Sequence, residues 1–236
     1  MISRTRLARL AGLLYLIVAV GGAFAESVRS SVRVAGDAAA TAANIVQHAT
    51  LYRIGFATDL LDFTCFLGVG LVLYFILRPV NGPIAIAMLT INAVSVAMQA
   101  LNMVNQLAAL LVATDPGYTA GMTPAAAQGL VLLFADLQHQ GYVIAQIFFG
   151  LYLLPLGYLV YRAGFFPKAI GVFLMVGAGG YVLGVVANFI APASSLPVYP
   201  ALIGGLAELL FLLWLLVIGA ENSPKNLMKG ALTWKA

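Results

Sequence analysis

The chain has 236 residues, of which 62% are hydrophobic and only 8% charged. Soluble domains carry about 25% charged residues, so this composition leaves too few charges to cover a surface in water, and lipid is the expected solvent. The net charge of +4 is not read as a nucleic-acid signal, because a multi-pass membrane protein concentrates its lysines and arginines on cytoplasmic loops. The single cysteine, Cys65, excludes an intramolecular disulfide and any multi-cysteine metal motif. Its apolar neighbours mark it as core filler rather than a reactive thiol.

In chain order, Arg4, Arg6 and Arg9 precede an apolar run from Leu10 to Ala25. This is how a secretory signal begins, and "AFAESV" offers a cleavage site, but no soluble domain follows it, so the segment reads as a retained first span. A helical span needs about 20 apolar residues. Six segments reach that length, at 8–26, 51–77, 83–113, 139–162, 168–191 and 198–220. Between the first two, Asp37 is the expected N-cap of a short alanine-rich helix. Pro83 and Pro167 occupy first-turn positions, where a missing N–H costs little. Asp115-Pro116-Gly117 closes the third span, and Ala191-Pro192 the fifth. Thr123 and Pro124 open either a separate outer helix or an extension of the fourth span.

Lysine and arginine then set the orientation. With the N-terminus inside, the inner segments hold Arg4, Arg6, Arg9, Arg78, Arg162, Lys168, Lys225, Lys229 and Lys235, and the outer segments hold only Arg29, Arg33 and Arg53. That bias predicts cytoplasmic termini. The acids are distributed in reverse, with only Glu221 at an inner end. The expected fold is therefore all-α: one domain over 1–236, a bundle of six transmembrane helices with short helices in its outer loops. A bacterial plasma membrane is its natural home. A shift of 84 positions brings Leu67, Tyr74, Arg78, Pro83, Ala85 and Ile86 onto Leu151, Tyr158, Arg162, Pro167, Ala169 and Ile170. A parallel duplication would explain this, but two inner turns independently using Arg-x4-Pro is the simpler account.

Ionisable residues within spans are costly and point to function by default. Asp59 and Asp62 stand three apart on one helix face. Asn92, Ser95, Gln99, Asn102 and Gln106 are spaced by three and four and draw a single polar stripe, which must face protein or water because lipid would leave its amides unsatisfied. The fourth span supplies Asp136, His139 and Gln146, the sixth Glu208, and the first ends at Glu26. Asn188 and Tyr181 belong to the fifth. Counted along their helices, the acids and the wettest amides gather in the outer half, which predicts a polar pocket opening outward. Its ligand-binding candidates are Glu26, Asp59, Asp62, Gln99, Asn102, Gln106, Asp136, His139, Gln146 and Glu208. The competing structural reading is a packing network in which Arg29, Arg33 and Arg53 pair with Glu26, Asp59 and Asp136. His48 reads as a solvated or capping residue. Gly21-Gly22 and the Gly177–Gly180 segment read as sites of close helix packing.

At "RSSVRVAGDAAATAANI", "FATDLLDF", "LRPVNGP" and "LFADLQHQGYVIAQIFFGLYLLPLGYLVYRAGFFPKAIGV" the chain resembles a bacterial multi-pass membrane family catalogued as domain of unknown function 4386, over residues 6–220. The resemblance implies a polytopic membrane protein and carries over no catalytic residue. Ala35 departs from the proline expected before Gly36-Asp37, which touches only the loop.

Several chemistries suit such a pocket. A divalent metal held by Asp62, Asp136, His139 or Glu208 would activate water against a lipid-like ester or amide, with Asp59, Asp62, His139 and Glu208 as catalytic candidates. Against it, the spans hold only one deep histidine and neither HExxH nor GxSxG is present. Haem has only His48 and His139 to ligate it, from different depths, and is disfavoured. A proton-coupled transporter would use Asp59, Asp62 and Glu208, but the inner half lacks a polar path unless a homo-oligomer supplies one. A binding module demands least: amides, tyrosines and acids holding a small amphiphile with a polar or cationic head.

Overall fold

The computed structural model describes residues 3–191 and 198–220; for 198–201 it describes the backbone alone. The expected Ala191-Pro192 turn is described only at Ala191, and Glu221, Lys225, Lys229 and Lys235 lie outside the described residues. The elements are α1 (Arg4–Val32), α2 (Ala38–Gln47), α3 (Ala49–Leu77), α4 (Gly82–Thr114), a 3₁₀ turn (Pro116–Thr119), α5 (Pro124–Arg162), α6 (Lys168–Ile190) and α7 (Val198–Val217). No strand occurs among the described residues. Among the described residues five helices, α1, α3, α4, α5 and α6, are long and apolar enough to cross a membrane. α7 has 20 residues, and its Leu202–Val217 stretch is a shorter apolar helix.

The helix ends follow local chemistry. Asp37 caps α2, its side chain accepting from Ala40 N–H. Asn81 caps α4 by accepting from Ile84 N–H at 3.1 Å, which leaves Pro83 in the first turn, where its missing donor is harmless. Asp115 accepts from Gly117 N–H and closes α4 into the 3₁₀ turn. Pro167 stands one position earlier than expected, as the N-cap of α6. Thr123 accepts from Ala126 N–H at 3.2 Å and starts a single helix of 39 residues. The extension of the fourth span is thus the reading that holds. Nothing between Pro124 and Pro155 interrupts the helical hydrogen bonds.

The span helices expose leucine, valine and isoleucine rather than charge. On α4, Leu101 is 72% exposed while Gln99, two residues before it, is 1% exposed. This inverted pattern, apolar outside and polar inside, suits hydrocarbon as solvent, and these helices meet the lipid bilayer through those side chains.

The chain divides into two compact units. The first takes Met1–Leu16, Leu67–Val94 and Gln146–Ala236; the second takes Ile17–Phe66 and Ser95–Ala145. In the first, α6 packs on α7, and glycines set the closeness of its helices. A Cβ on Gly177 would stand 3.0 Å from the Gly204 backbone, and one on Gly157 2.7 Å from the Gly171 carbonyl oxygen. In the second, α2 lies over a cluster of Val28, Val32, Ile45, Tyr52, Ala109, Leu110 and Val131. There Thr41 exchanges hydrogen bonds with both the N–H and the C=O of Val34, and Asn44 donates to the Val32 carbonyl at 3.2 Å. These contacts satisfy backbone groups left orphaned where α1 ends.

Candidate functional site

The second unit holds most of the polar residues singled out in the sequence. Arg29 is buried on α1. Its guanidinium forms ion pairs with Glu26 at 2.9 Å, one turn back on the same helix, and with the buried Asp59 of α3. Glu26 is half exposed. The Tyr142 ring of α5 lies 5.6 Å from the same guanidinium, within cation–π range. Nearer the end of α1, Arg33 pairs with Asp136 of α5 at 2.7 Å. His139, one turn beyond Asp136, is half-buried and within electrostatic range of Arg33, Glu26, Asp136 and Arg29. Arg53 and His48 are exposed, and neither enters the ion pairs found among the described residues. His48 is the C-cap of α2.

Asp62, one turn along from Asp59, is placed differently. Its side chain is buried and lies against the backbone of α1 at Gly21 and Gly22; a Cβ on either would stand 3.6 to 3.7 Å from Oδ1. No cation pairs with it among the described residues, and Oδ1 has no hydrogen-bond partner. Two carboxylates, Glu26 and Asp59, therefore share one guanidinium, and Asp62 stands outside the pair.

The α4 stripe is buried along its whole length, from Asn92 and Ser95 to Gln99, Asn102 and Gln106. Asn102 Nδ2 donates to the Gln138 carbonyl at 2.8 Å, and its Oδ1 accepts from Asn105 at 3.1 Å. Gln99 Nε2 and both polar atoms of the Gln106 amide are buried without a hydrogen-bond partner. In the same unit an open hollow of about 510 Å³ is walled by Ala39, Ala43, Gln47, Val112, Gln128 and Val131 among others. None of Glu26, Asp59, Asp62, Asp136 or His139 lines it.

Glu208 and Gln146 belong to the first unit. Glu208 accepts from the Tyr15 hydroxyl at Oε1 and from the Tyr181 hydroxyl at Oε2, the latter at 2.6 Å. Its described hydrogen-bond partners are thus both phenols. Asn92 is in this unit too, seated where Gly70 leaves room: a Cβ there would stand 2.6 Å from Asn92 Cγ.

Sequence reasoning missed Tyr15, Tyr142, Gln138 and Gly141. For Tyr15 a signal existed. A tyrosine well inside a span, away from the interfacial belts, needs a polar partner for its hydroxyl. Gly141 gave a weaker one, a glycine in mid-helix. Among the described residues no three of His, Cys, Asp and Glu group so as to hold a metal ion, so the metal-dependent reading gains nothing from side-chain grouping.

A family model described as "Domain of unknown function (DUF4386)" matches residues 10–219. The chain belongs to the DUF4386 family. It is also 29% identical over 178 residues to an uncharacterised protein of Archaeoglobus fulgidus, a match that covers 74% of this chain and 88% of the archaeal one. No solved structure matches. In this DUF4386 chain, the "GDAAATAANI" stretch that carries the resemblance includes the α1–α2 clasp of Asp37, Thr41, Asn44 and Ile45.

Proposed function

We propose that this DUF4386 protein is a six-span protein of a bacterial plasma membrane, with both termini cytoplasmic, that binds a small cationic or amphiphilic molecule through the polar residues of α1, α3, α4 and α5. The observation that carries the reading is Asp62 Oδ1, a buried carboxylate oxygen without a hydrogen-bond partner, beside an Asp59 already paired by Arg29. In a hydrocarbon-solvated bundle each unsatisfied polar group costs several kcal/mol, and the unpartnered amides of Gln99 and Gln106 add to the demand. A guest bearing an ammonium group would offer donors to the carboxylate. It would also offset the surplus of carboxylates over guanidinium. Glu26, Asp136 and His139, being half exposed, suit the side from which such a guest enters.

The orientation draws support from basic side chains. Arg4 stacks on Phe165, Arg78 on Phe75 and Lys168 on Tyr161, all at helix ends that the charge bias assigns to the cytoplasm. Of the three outer arginines, Arg29 and Arg33 are neutralised by carboxylates.

The test is thermal unfolding of the full chain in neutral detergent with a primary alkylammonium, an alkyl sulfate and a neutral alkyl glycoside of equal tail length. The ammonium alone should raise the midpoint, by an amount equivalent to about 2.7 kcal/mol at a hundred times its Kd. Asp62→Asn should remove that response while the variant stays folded. Equal stabilisation by all three, or an undiminished response in Asp62→Asn, would refute the reading.

A further inference from the structure

We propose that Glu208, clamped between the phenols of Tyr15 and Tyr181, is a proton-exchange site: a carboxylate within the helices of the first unit that takes up and releases one proton without a fixed counter-ion. The cluster shares no residue with the Asp62 site and stands independently of the function proposed for it.

The geometry carries the argument. Each phenol has one hydrogen to donate, and the two are spent on different oxygens, Tyr15 on Oε1 and Tyr181 on Oε2. With both phenols donating, the carboxyl group is in its charged form; with one phenol accepting instead, the same arrangement holds the neutral acid. Charge inside a span is costly and is normally paired. Yet no lysine, arginine or histidine forms an ion pair with Glu208 among the described residues. Among the described residues the titratable groups that face it are phenols: Tyr15 of α1, Tyr181 of α6 and, further off, Tyr152 of α5.

A phenol suits a reversible proton site better than a cationic side chain does. It is both donor and acceptor, so it serves either state of its neighbour, whereas an arginine would hold the carboxylate permanently charged. On uptake, a proton bonds to Oε2, Tyr181 turns its own hydrogen away, and its oxygen accepts from the new carboxyl O–H. Tyr15 goes on donating to Oε1. On release the steps reverse. No bond between heavy atoms changes, and no co-reactant is needed beyond the proton. The fold also keeps the Tyr181 ring in place: Gly204 leaves the space it fills, and a Cβ there would stand 2.6 Å from Cδ2 of the ring.

Infrared difference spectroscopy tests this directly, because the chain has only three glutamates, Glu26, Glu208 and Glu221. The full chain is labelled with ¹³C-glutamate, reconstituted in lipid and cycled between acid and alkaline buffer. The expected result is an isotope-shifted carbonyl band of a protonated carboxylic acid that appears reversibly on acidification. The component due to Glu208 should be missing in Glu208→Gln, where only Glu26 and Glu221 remain to be protonated, and displaced in frequency in Tyr181→Phe. The proposal is overturned if no such band appears, or if it persists unchanged in Glu208→Gln or in Tyr181→Phe. Suppression of the band by sodium at fixed pH would also overturn it, by making this a cation site. Should Glu208→Gln fail to fold, Tyr15→Phe and Tyr181→Phe carry the test, since removal of either donor must move the band.

Discussion

Asn102 of α4 occupies the space that Gly141 of α5 leaves open. A Cβ at position 141 would stand 2.6 Å from Asn102 Cγ and 3.0 Å from Nδ2, and the amide so admitted donates to the Gln138 carbonyl one turn earlier on α5. Backbone approach and side-chain hydrogen bond are one arrangement, the small-residue packing by which helices associate in lipid.

Gly141→Ala should therefore destabilise the protein by about 1–3 kcal/mol, as overpacking does. In an Asn102→Ala background the same substitution should cost clearly less, because the obstructing amide is gone. Thermal unfolding of the two single variants and the double variant gives the coupling energy. A value near zero would mean that the two residues do not compete for the same space.

The buried ion pair makes a second prediction. Arg29→Met leaves Asp59 buried without its guanidinium, and breaking a buried pair from one side costs about 3–5 kcal/mol. Arg29→Met with Asp59→Leu should recover most of that loss, because an apolar pair of similar volume is often neutral in such a position. Denaturation midpoints of the two variants decide it. The double variant should be the more stable.

The clasp between α1 and α2 makes a third. Thr41→Val keeps the shape of a fully buried side chain but removes the hydroxyl that bonds both backbone groups of Val34. A loss of about 1–3 kcal/mol is expected for buried groups left unsatisfied. Hydrogen exchange should quicken at the Val34 amide and along 38–47 before it does elsewhere in the second unit.

Orientation is open to a chemical check. Cys65 is buried and can be replaced by alanine to give a cysteine-free chain. A cysteine at Ala35, in the exposed loop between α1 and α2, should react with a membrane-impermeant thiol reagent added to intact cells. One at Ala163, between α5 and α6, should react only after the membrane is opened. The reverse pattern would invert the topology.

The helices were legible in the sequence because length, apolar content and caps are local properties. Asp37 and Asp115 each act within three residues of themselves, and Thr123 fixes the start of α5 in the same way. The burial of the α4 stripe was legible too, since a spacing of three and four places its amides on one face. What the sequence withheld was the partner across the gap. Depth along a helix can be counted; which neighbour a face meets depends on rotation about the helix axis, so the hydrogen bonds of Glu208 with Tyr15 and Tyr181 could not be read from it. The pairing of Arg29 with both Glu26 and Asp59 was half-legible: the i, i+3 contact follows from spacing, while the contact with α3 required the packed structure.

The two amides seated against glycines, Asn92 at Gly70 and Asn102 at Gly141, bind the evolutionary histories of positions 22 and 39 residues apart in the chain. A lineage that enlarges either glycine must shorten the facing asparagine, and one that loses the asparagine is freed to carry alanine or serine opposite. Such paired exchanges should be found among DUF4386 sequences even where the acids around Arg29 have drifted.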